Sequence, residues 1–348
     1  MTSGTQDGTT PTGIDVDRVT AWFVDHVPQV VPPLTFTLIA GGHSNLTYRV
    51  DDAAGSRWAL RRPPLGHVLA TAHDVAREYR IASALAPTDV PVAPPVALCE
   101  DVEVNGAPFA VTRFVDGVVL RDIEAASAFP EELRHDACRS LVDALAAIHA
   151  VDVDAVGLGD LARREGYIAR QLKRWRGQYE KTRSIDTPAI ARAHDLLAAK
   201  IPEQGPAGIV HGDYRLDNCI FAADGTVAAV LDWELCTLGD VLADLGQMLV
   251  YWVEPGEDGA LESPPTSVPG YWTRDEVIRR YAERTGRDLS NLDFYIAFAS
   301  WKVACILDGV HARYAAGAMG ADPRHGLDSF RKRVLQLSAR AEAIAATL

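Results

Sequence analysis

The fold is decided by the stretch Ile209-Val-His-Gly-Asp-Tyr-Arg-Leu-Asp-Asn-Cys-Ile-Phe221, which is followed closely by Val230-Leu-Asp-Trp-Glu234. Three short apolar runs in this region predict buried strands: 208–210, 219–221 and 227–231. The segment between the last two runs contains an Asp-Gly pair, which predicts a β-hairpin. This hairpin would bring Asp232 back towards the loop that carries Asp213 and Asn218.

Asp213, Asn218 and Asp232 offer the chemistry of a metal-dependent phosphoryl transfer. Mg²⁺ binds the oxygen atoms of carboxylate and amide groups, so Asn218 and Asp232 are candidate metal ligands. Asp213 is then free to accept a proton from an attacking hydroxyl group. The simpler interpretation is that Asp213 only caps a helix or turn, and the combined spacing of the three residues argues against it.

The motif His211-Gly212-Asp213, with Asn218 five positions after Asp213, resembles the catalytic loop of kinase-like phosphotransferases. Its His-Gly-Asp form is similar to the aminoglycoside phosphotransferase branch, which includes choline and homoserine kinases. The fuller pattern, with Leu231-Asp-Trp-Glu234, most resembles phosphotransferase-like domains that occur beside acyl-CoA dehydrogenases or fused to them. The resemblance runs from about Ile39 to the last helices and is most specific in the loop.

This resemblance implies an α+β, bilobal protein kinase-like fold. An N-lobe antiparallel sheet with one main helix would be followed by a mainly α-helical C-lobe with a catalytic β-hairpin. The resemblance also implies ATP and Mg²⁺ as cofactors, with ATP between the lobes. Asp213 would be catalytic, and Asn218 and Asp232 would hold the metal. A functional association with acyl-CoA dehydrogenases is a further implication.

The composition excludes several classes of function. The formal net charge is −13, from 34 basic and 47 acidic residues, which argues against nonspecific binding to nucleic acid or to an anionic membrane. The five cysteines form no Cys-x-x-Cys pair, and we interpret them as reduced core thiols of a cytoplasmic protein. No apolar run is long enough to span a bilayer, and the first residues lack the pattern of a signal peptide.

Three regions follow from the sequence: a disordered polar tail at 1–13, an N-lobe at 14–116 and a C-lobe at 117–348. The segment Phe114–Gly117 would form the hinge, with its glycine as a flexible joint. Beyond it, helices are predicted at Glu131–Ala150, Leu161–Lys181, Pro188–Lys200, Asp240–Val253, Arg274–Thr285, Leu292–Ala316 and Leu327–Ala346. The segment Glu254–Pro269 is rich in Pro and Gly and predicts a mobile surface loop.

The N-lobe is predicted to be mainly a sheet. Helices are predicted from Ile14 to His26 and from about His73 to Ala86. Strands are predicted at Leu34–Ala40, Leu46–Val50, Arg57–Arg61, Val96–Glu100 and Phe109–Phe114. The dipeptide Asn105-Gly106 predicts a hairpin turn between the last two strands.

The candidates for nucleotide binding lie in the N-lobe and are Ser44, Asn45, Arg61, Glu78, Thr112 and Phe114. The glycine-rich turn at 41–45 would let backbone N–H groups approach phosphates, and the alternative is an ordinary hairpin turn. Arg61 stands where kinase-like folds carry a lysine, and Glu78 is its natural carboxylate partner. The alternative is that both are only surface charges. The adenine would lie against Thr112–Gly117.

The candidates for the acceptor site are Arg174, Trp175, Glu234, Trp301 and Arg313. A basic helix with tryptophan suits an anionic acceptor such as a CoA thioester better than a polycationic aminoglycoside. The alternative is solvated charge around one core aromatic residue. We interpret His211 as structural, packed under the loop, and the resemblance implies that Asp244 braces the loop from below.

The predicted function is ATP- and Mg²⁺-dependent O-phosphorylation of a small-molecule hydroxyl group, with a hydroxyacyl-CoA as one acceptor to consider. Two alternatives stay open. One is a non-catalytic, nucleotide-binding pseudokinase, which Arg61 in place of lysine favours. The other is an accessory protein of acyl-CoA metabolism. The sequence determines neither the acceptor, nor the preference for ATP over GTP, nor the oligomeric state.

Overall fold

A computed structural model describes residues 11–40, 45–65, 74–257, 262–317 and 326–348. The chain divides into two compact units. Unit 1 comprises Met1–Pro87 and Val92–Val115, and unit 2 comprises Thr88–Pro91 and Asp116–Leu348. Unit 1 is built on an antiparallel sheet and unit 2 is mainly helical. The fold class is therefore the α+β class that the sequence predicts.

Unit 1 contains a five-stranded antiparallel sheet in the order β1-β2-β3-β5-β4. Its strands are β1 (Thr35–Ala40), β2 (Leu46–Asp51), β3 (Arg57–Arg62), β4 (Pro95–Cys99) and β5 (Phe109–Arg113). Buried residues alternate along β2 and β3, where Tyr48, Val50, Trp58 and Leu60 face the core. The sequence predicts all five strands with closely similar bounds.

Three helices accompany this sheet: α1 (Val16–His26), α2 (Val75–Leu85) and α3 (Val102–Asn105). Helix α1 is capped by Asp15, whose carboxylate accepts a hydrogen bond from the backbone N–H of Arg18 at 3.1 Å. Its apolar face buries Trp22 and Phe23, and the Phe23 ring meets Trp58 edge to face. The helix therefore belongs to the core of unit 1.

The connection between β4 and β5 differs from the predicted hairpin turn. The two strands pair, but Asp101 caps the short helix α3 between them, and Gly106 ends that helix with φ of 71°. The Asn105 side chain is buried and accepts a hydrogen bond from the backbone N–H of Asp15 at 2.9 Å. The Asn-Gly pair thus closes a helix, because glycine adopts the left-handed conformation that helix ends favour.

The predicted disordered tail at 1–13 is described only in part. Residues 1–10 lie outside the described residues. Residues 11–13 contact the sheet, since the carbonyl of Thr12 accepts a hydrogen bond from the Tyr48 hydroxyl and that of Gly13 accepts one from Arg62. The prediction is therefore wrong for 11–13, because these carbonyls serve as partners for two sheet side chains.

Unit 2 contains eight helices within the described ranges. They are α4 (Ile123–Ala128), α5 (Glu131–Ala150), α6 (Tyr167–Thr182), α7 (Pro188–Ala199), α8 (Leu242–Tyr251), α9 (Arg274–Thr285), α10 (Leu292–Ala315) and α11 (Leu327–Thr347). Helix α10 packs against α6, α7, α8 and α11 and forms the centre of the unit. The sequence predicts all of these helices except α4. Among the described helices, none combines the length and the apolar character needed to cross a membrane.

Two short strand pairs in unit 2 carry the site. Strands β7 (Cys219–Phe221) and β8 (Val227–Val230) form the predicted hairpin, whose turn has Gly225 at φ of 84°. The Asp224 carboxylate accepts a hydrogen bond from the backbone N–H of Thr226 at 2.9 Å, which stabilises this turn. Strand β6 (Gly208–Val210) pairs with β9 (Thr237–Gly239), and the sequence analysis did not predict β9.

Gly117 has a different role from the predicted flexible joint. It has φ of 155°, and a Cβ atom at this position would lie only 2.4 Å from the carbonyl oxygen of Phe221. The neighbouring Val118 exchanges backbone hydrogen bonds of 2.9 and 2.8 Å with Phe221. The glycine is therefore required because two backbone segments approach closely.

The predicted mobile loop at 254–269 is also corrected in part. Residues 258–261 lie outside the described residues. Further along, Thr266 is 2% exposed, and its hydroxyl bonds to the backbone N–H and carbonyl of Val253 at 2.8 and 2.9 Å. The prediction is wrong for Pro264–Val268, because these residues pack into unit 2 instead of facing solvent.

Candidate active site

Asp244 fixes the start of the His-Gly-Asp loop, residues 211–218. This aspartate lies on α8 and is 1% exposed. Its Oδ2 atom accepts a hydrogen bond from the backbone N–H of His211 at 2.6 Å, and its Oδ1 accepts one from Gly212 at 2.8 Å. Two charge-assisted bonds to consecutive amides hold the loop firmly. The structure thus contains the contact that the predicted bracing role requires.

Behind Asp244, two further buried groups complete the brace. The Nε2 atom of His149 lies 3.3 Å from Asp244 Oδ2, and its Nδ1 lies 2.7 Å from the Tyr281 hydroxyl. The ring is neutral if Nε2–H donates to the carboxylate and the hydroxyl donates to Nδ1. Burial lowers the pKa of His149, in agreement with the neutral form. Burial alone would raise the pKa of Asp244, but the hydrogen bonds from His149 and from the backbone N–H of Gly212 hold it below its ordinary value.

His211 is fully buried and uses both ring nitrogens. Its Nε2 atom lies 2.9 Å from the carbonyl oxygen of Leu231, and its Nδ1 accepts a hydrogen bond from the backbone N–H of Asp213 at 3.3 Å. Because a carbonyl only accepts and an amide N–H only donates, the ring is neutral and has no nitrogen left for a substrate. The next residue must be glycine, because Gly212 has φ of 88° and a Cβ atom there would lie 2.9 Å from Leu235.

The Asp213 carboxylate is held by three side chains. Asn218 Nδ2 donates to the backbone carbonyl of Asp213 at 2.7 Å and to its Oδ2 at 3.1 Å. Gln247 Nε2, on α8, donates to Oδ1 at 2.9 Å. Arg215 Nε lies 3.4 Å from Oδ2. The side chain is still 24% exposed, so an oriented carboxylate is available to take a proton from a hydroxyl group.

Asn218 and Asp232 lie at the base of the hairpin. The backbone N–H of Leu231 donates to the carbonyl of Asn218 at 2.8 Å, so the residue before Asp232 pairs directly with Asn218. Asn218 uses its Nδ2 for Asp213, which leaves Oδ1 as the accepting atom of that amide. Asp232 has φ of 62°, a conformation that non-glycine residues adopt rarely and that clusters at functional sites.

The oxygen donors of Asn218 and Asp232 are of the kind that Mg²⁺ accepts, and their role as metal ligands stays a prediction. Mg²⁺ is usually held by one or two protein oxygen ligands and completes its shell with water and phosphate oxygens. Within the described ranges, no group of three or more His, Cys, Asp or Glu side chains could hold a metal ion.

Arg215 places positive charge beside Asp213. Its Nε atom lies 3.1 Å from Asp217 Oδ1, and its guanidinium group lies 4.9 Å from the centre of the Tyr251 ring. Burial lowers the pKa of Arg215, but the carboxylates of Asp213 and Asp217 outweigh it and leave the pKa above its ordinary value. Burial raises the pKa of Asp217, although Arg215 opposes that shift.

Unit 1 contains the predicted ion pair between Arg61 and Glu78. Arg61 Nε lies 3.1 Å from Glu78 Oε2, and the two side chains are 27% and 11% exposed. Asn45 Nδ2 donates to Glu78 Oε1 at 2.8 Å, so the amide joins the same cluster. Ser44 and the preceding residues of the glycine-rich turn lie outside the described residues. A role of this cluster in binding phosphate stays a prediction.

The two candidates for adenine contact lie at the end of β5. Thr112 is partly buried and pairs with Ala59 of β3. Phe114 follows the strand, and the Arg57 guanidinium lies 5.3 Å from its ring centre. Their contact with a nucleotide stays a prediction.

Two of the predicted acceptor-site residues are core residues. Trp301 is fully buried, and its indole N–H donates to the carbonyl of Ile190 at 3.0 Å. Trp175 is 8% exposed and donates to Gln171 Oε1 at 2.9 Å. The prediction is therefore wrong for both tryptophans, because their rings fill the core of unit 2 and their polar atoms have internal partners.

The other acceptor-site candidates stay predictions. Arg174 is exposed on α6, with its guanidinium group 5.4 Å from the centre of the Trp175 ring. Arg313 is exposed near the end of α10. Glu234 is partly buried in the short 3-10 helix that follows Asp232.

Sequence reasoning missed two residues of the site, Gln247 and Lys302. Gln247 Nε2 donates to Asp213 and also to the carbonyl of Gly212 at 3.0 Å. Lys302 Nζ donates to that carbonyl at 3.1 Å and to Gln247 Oε1 at 2.7 Å. The available signal was a polar residue within an apolar helix, and Gln247 stands three positions after Asp244, on the same helical face.

Both a protein-family model and a relative of known name match this chain over most of its length. The model of the Phosphotransferase enzyme family matches residues 35–294. Acyl-CoA dehydrogenase family member 10 of Mus musculus is 35% identical over 291 residues, which cover 82% of this chain and 27% of the relative. The chain thus spans about a quarter of the length of that relative.

Two solved structures show the same fold. A provisionally named aminoglycoside phosphotransferase from Ralstonia eutropha is 33% identical and superposes with a TM-score of 0.81, over 96% of this chain and 98% of that chain. Spectinomycin phosphotransferase, solved with ADP and spectinomycin, is 14% identical with a TM-score of 0.62, over 96% and 99% of the two chains. At that identity the likeness shows the fold alone. The family match, the relatives and the loop geometry agree, and this chain belongs to the phosphotransferase enzyme family.

Proposed function

We propose that this protein transfers the γ-phosphoryl group of ATP to a hydroxyl group of a small molecule, in a reaction that depends on Mg²⁺. The observation that carries this proposal is the Asp213 carboxylate, which is oriented by Asn218 and Gln247 yet partly exposed. In phosphoryl transfer, positioning and electrostatic stabilisation provide most of the catalysis. An oriented carboxylate beside candidate metal ligands is the arrangement that such catalysis needs.

Each polar residue of the loop and hairpin has a proposed role in the reaction. The acceptor oxygen would attack the γ-phosphorus while the bond from that phosphorus to the bridging oxygen of ADP breaks. The hydroxyl proton would pass to Asp213, and ADP would leave. Asn218 and Asp232 would hold Mg²⁺, which supplies charge neutralisation for the phosphate oxygens. Arg215 adds fixed positive charge beside Asp213.

ATP is the proposed donor for two reasons. Spectinomycin phosphotransferase shares the fold and was solved with ADP. In unit 1, the Arg61 side chain is 27% exposed and paired with Glu78, and a guanidinium can bind phosphate through two parallel hydrogen bonds. We propose that Arg61 contacts the nucleotide phosphates, with Asn45 helping to hold Glu78 in place.

A hydroxyacyl-CoA is the acceptor class that we favour. The similarity to acyl-CoA dehydrogenase family member 10 over most of this chain supports it. The exposed face of α6 carries Lys173 and Arg174, whose charges would attract an anionic acceptor more than a polycationic one. An aminoglycoside is the competing acceptor class, in line with the name of the Ralstonia structure.

A transfer screen tests the proposed function. Wild-type protein would be incubated with γ-labelled ATP and Mg²⁺, together with 3-hydroxybutyryl-CoA, kanamycin or spectinomycin, and labelled products would be resolved by chromatography. We expect labelled acyl-CoA product from wild type and none from Asp213→Ala. Asp195→Asn, a surface change on α7, is the matched control and should behave as wild type. Transfer of label to kanamycin or spectinomycin, and not to the acyl-CoA, would contradict the hydroxyacyl-CoA assignment and favour an aminoglycoside acceptor.

One observation favours a second function, a non-catalytic nucleotide-binding module. Arg61 stands where kinase-like folds carry a lysine, and its planar guanidinium group needs more room than an ammonium group. A pseudokinase would show thermal stabilisation by ATP but no phosphorylated product and no ADP formation with any acceptor. ADP formation that Asp213→Ala abolishes would exclude this alternative.

A further inference from the structure

We propose that Lys302 is a positioning residue, which acts through Gln247 to aim the Asp213 carboxylate at the acceptor hydroxyl. This inference rests on the proposed function, because it assigns a role within the same reaction. No sequence motif links the three residues, since Gln247 is 34 positions from Asp213 and Lys302 is 90 positions from Gly212. Their connection exists only in the folded unit 2.

Four hydrogen bonds connect Lys302 and Gln247 to each other and to Gly212 and Asp213. Lys302 Nζ donates to Gln247 Oε1 at 2.7 Å and to the Gly212 carbonyl at 3.1 Å. Gln247 Nε2 donates to the same carbonyl at 3.0 Å and to Asp213 Oδ1 at 2.9 Å. Lys302 therefore contacts the residue before Asp213 directly and Asp213 itself through one amide.

Lys302 helps to set which way the Gln247 amide faces. An amino group presents N–H donors to Gln247 Oε1, and a carboxylate only accepts hydrogen bonds. The Gln247 oxygen must therefore face Lys302, and its NH₂ group must face Asp213. The Gly212 carbonyl and the Asp213 carboxylate already favour this orientation, because both only accept hydrogen bonds. Lys302 adds a donor on the opposite side of the amide and so reinforces a hydrogen bond that it does not itself make.

The position of Lys302 is costly for folding, which argues that it has a function. Lys302 and Gln247 are 5% and 3% exposed. Among the ion pairs between described residues, none includes Lys302, and its two acceptors are neutral groups. A buried amino group with neutral partners stabilises a fold less than an apolar side chain of similar size. Burial also lowers the pKa of Lys302, and the nearby Asp244 and Asp213 carboxylates oppose this shift.

The described residues around Lys302 give it no other role than its contacts with Gln247 and the Gly212 carbonyl. The flanking α10 residues Trp301 and Val303 are buried in the apolar core, so Lys302 is a charged residue within an otherwise uncharged stretch of the helix. Asp244, on α8, bonds to the backbone of residues 211 and 212 and to His149. Asp244 thus holds the loop backbone, whereas Lys302 and Gln247 hold the Gly212 carbonyl and the carboxylate that follows it.

Three variants test the proposal: Lys302→Met, Gln247→Leu and the double variant. ADP formation from MgATP would be measured with water as acceptor and with the acceptor found in the screen. We expect each single variant to lower kcat by about 10-fold to 100-fold, the scale of a misplaced catalytic group, with KM for MgATP unchanged. The double variant should lose clearly less than the product of the two single losses, because the lysine acts mainly through the glutamine. Losses that multiply would overturn the proposal.

Two further variants separate positioning from general stability. Gln247→Glu keeps the shape and gives Lys302 a charged partner, so the fold should be retained while Asp213 loses its donor and kcat falls. Lys200→Met, on an exposed lysine that makes one 3.4 Å contact with the Ala345 carbonyl, is the matched lysine control. A fully active Gln247→Glu or Lys302→Met would overturn this inference and leave the proposed function standing. An inactive wild type would overturn both.

Discussion

The charged clusters of the two units differ in how firmly they are held. In unit 2, the Asp213 carboxylate and the loop before it contact Asn218, Arg215, Asp244, Gln247 and Lys302. Most of these contacts come from α8 and α10, far along the chain. In unit 1, Arg61 pairs with Glu78, and Asn45 donates a hydrogen bond to Glu78. Arg61 is also more exposed than any member of the brace behind the loop.

The difference indicates what each cluster is suited to do. A carboxylate fixed by several buried donors is preorganised, so little energy is needed to orient it during a reaction. A partly exposed guanidinium can change its rotamer to meet a ligand at small cost. We therefore expect substitutions in the unit 2 brace to have large effects and those in the unit 1 pair to have small ones.

The largest expected effect is on the brace itself. Asp244→Asn would place an amide NH₂ group against a backbone N–H that now donates to a carboxylate oxygen. Removing one partner from a buried charged network costs about 3–5 kcal/mol in the free energy of unfolding. Urea unfolding at neutral pH measures this loss. Asp195→Asn, the surface control, should stay within about 0.5 kcal/mol of wild type, and an equally small change for Asp244→Asn would contradict the brace.

The second largest effect is expected at the proposed metal ligands. Asp232→Asn replaces the carboxylate that we propose as an anionic ligand, and asparagine tolerates the left-handed backbone at this position better than alanine would. We expect the affinity for MgATP to fall at least about 10-fold, or 1.4 kcal/mol. Calorimetry would compare MgATP with ATP in chelator. Wild type should distinguish the two forms and the variant should not. Equal affinity of both proteins for MgATP would remove Asp232 from the site.

The brace also predicts a pH dependence of stability. The pKa values of His149 and Asp244 are both lowered in the fold, so the unfolded chain binds more protons as the pH falls. The stabilisation from His149 is complete above its unfolded pKa of about 6.5 and decreases below it, and that from Asp244 decreases below about 3.9. Urea midpoints should therefore fall from pH 7 to pH 5 in wild type and fall less in His149→Gln. Parallel curves would contradict the neutral buried histidine.

The smallest effects are expected in unit 1. Arg61→Ala should cost no more than about 1 kcal/mol of stability, because a partly exposed ion pair contributes little. KM for MgATP should rise by up to about 10-fold, or 1.4 kcal/mol, if Arg61 contacts phosphate. KM of Arg61→Lys should lie between those of Arg61→Ala and wild type, since lysine keeps the charge but cannot form the two parallel hydrogen bonds of a guanidinium. Steady-state kinetics measures both, and a loss of kcat with unchanged KM would contradict a binding role.

Local sequence patterns predicted much of the fold. The β7–β8 hairpin was predictable because an Asp-Gly turn separates two apolar runs, and the same holds for the alternating strands of unit 1. Strand β9 was missed because three residues ending in glycine carry no periodic signal. The turn at Asn105-Gly106 was misassigned because the same pair ends helices as readily as it turns hairpins.

The site was predictable only where its residues share a motif. Asp213, Asn218 and Asp232 stand within one short segment, so their spacing could be recognised. Gln247 and Lys302 come from helices far along the chain, and only packing brings them to the loop. Trp175 and Trp301 were assigned to the acceptor site because sequence does not distinguish a tryptophan that binds a ligand from one that fills a core.

The central claim is that Asp213 serves the acceptor hydroxyl in phosphoryl transfer from MgATP. The most direct measurement is kcat for ADP formation by wild type and Asp213→Ala at saturating MgATP, with thermal unfolding recorded for both proteins. We predict a loss of at least about 100-fold, the lower range for a general base, with unchanged unfolding. Turnover equal to that of wild type in a folded Asp213→Ala protein would contradict the claim.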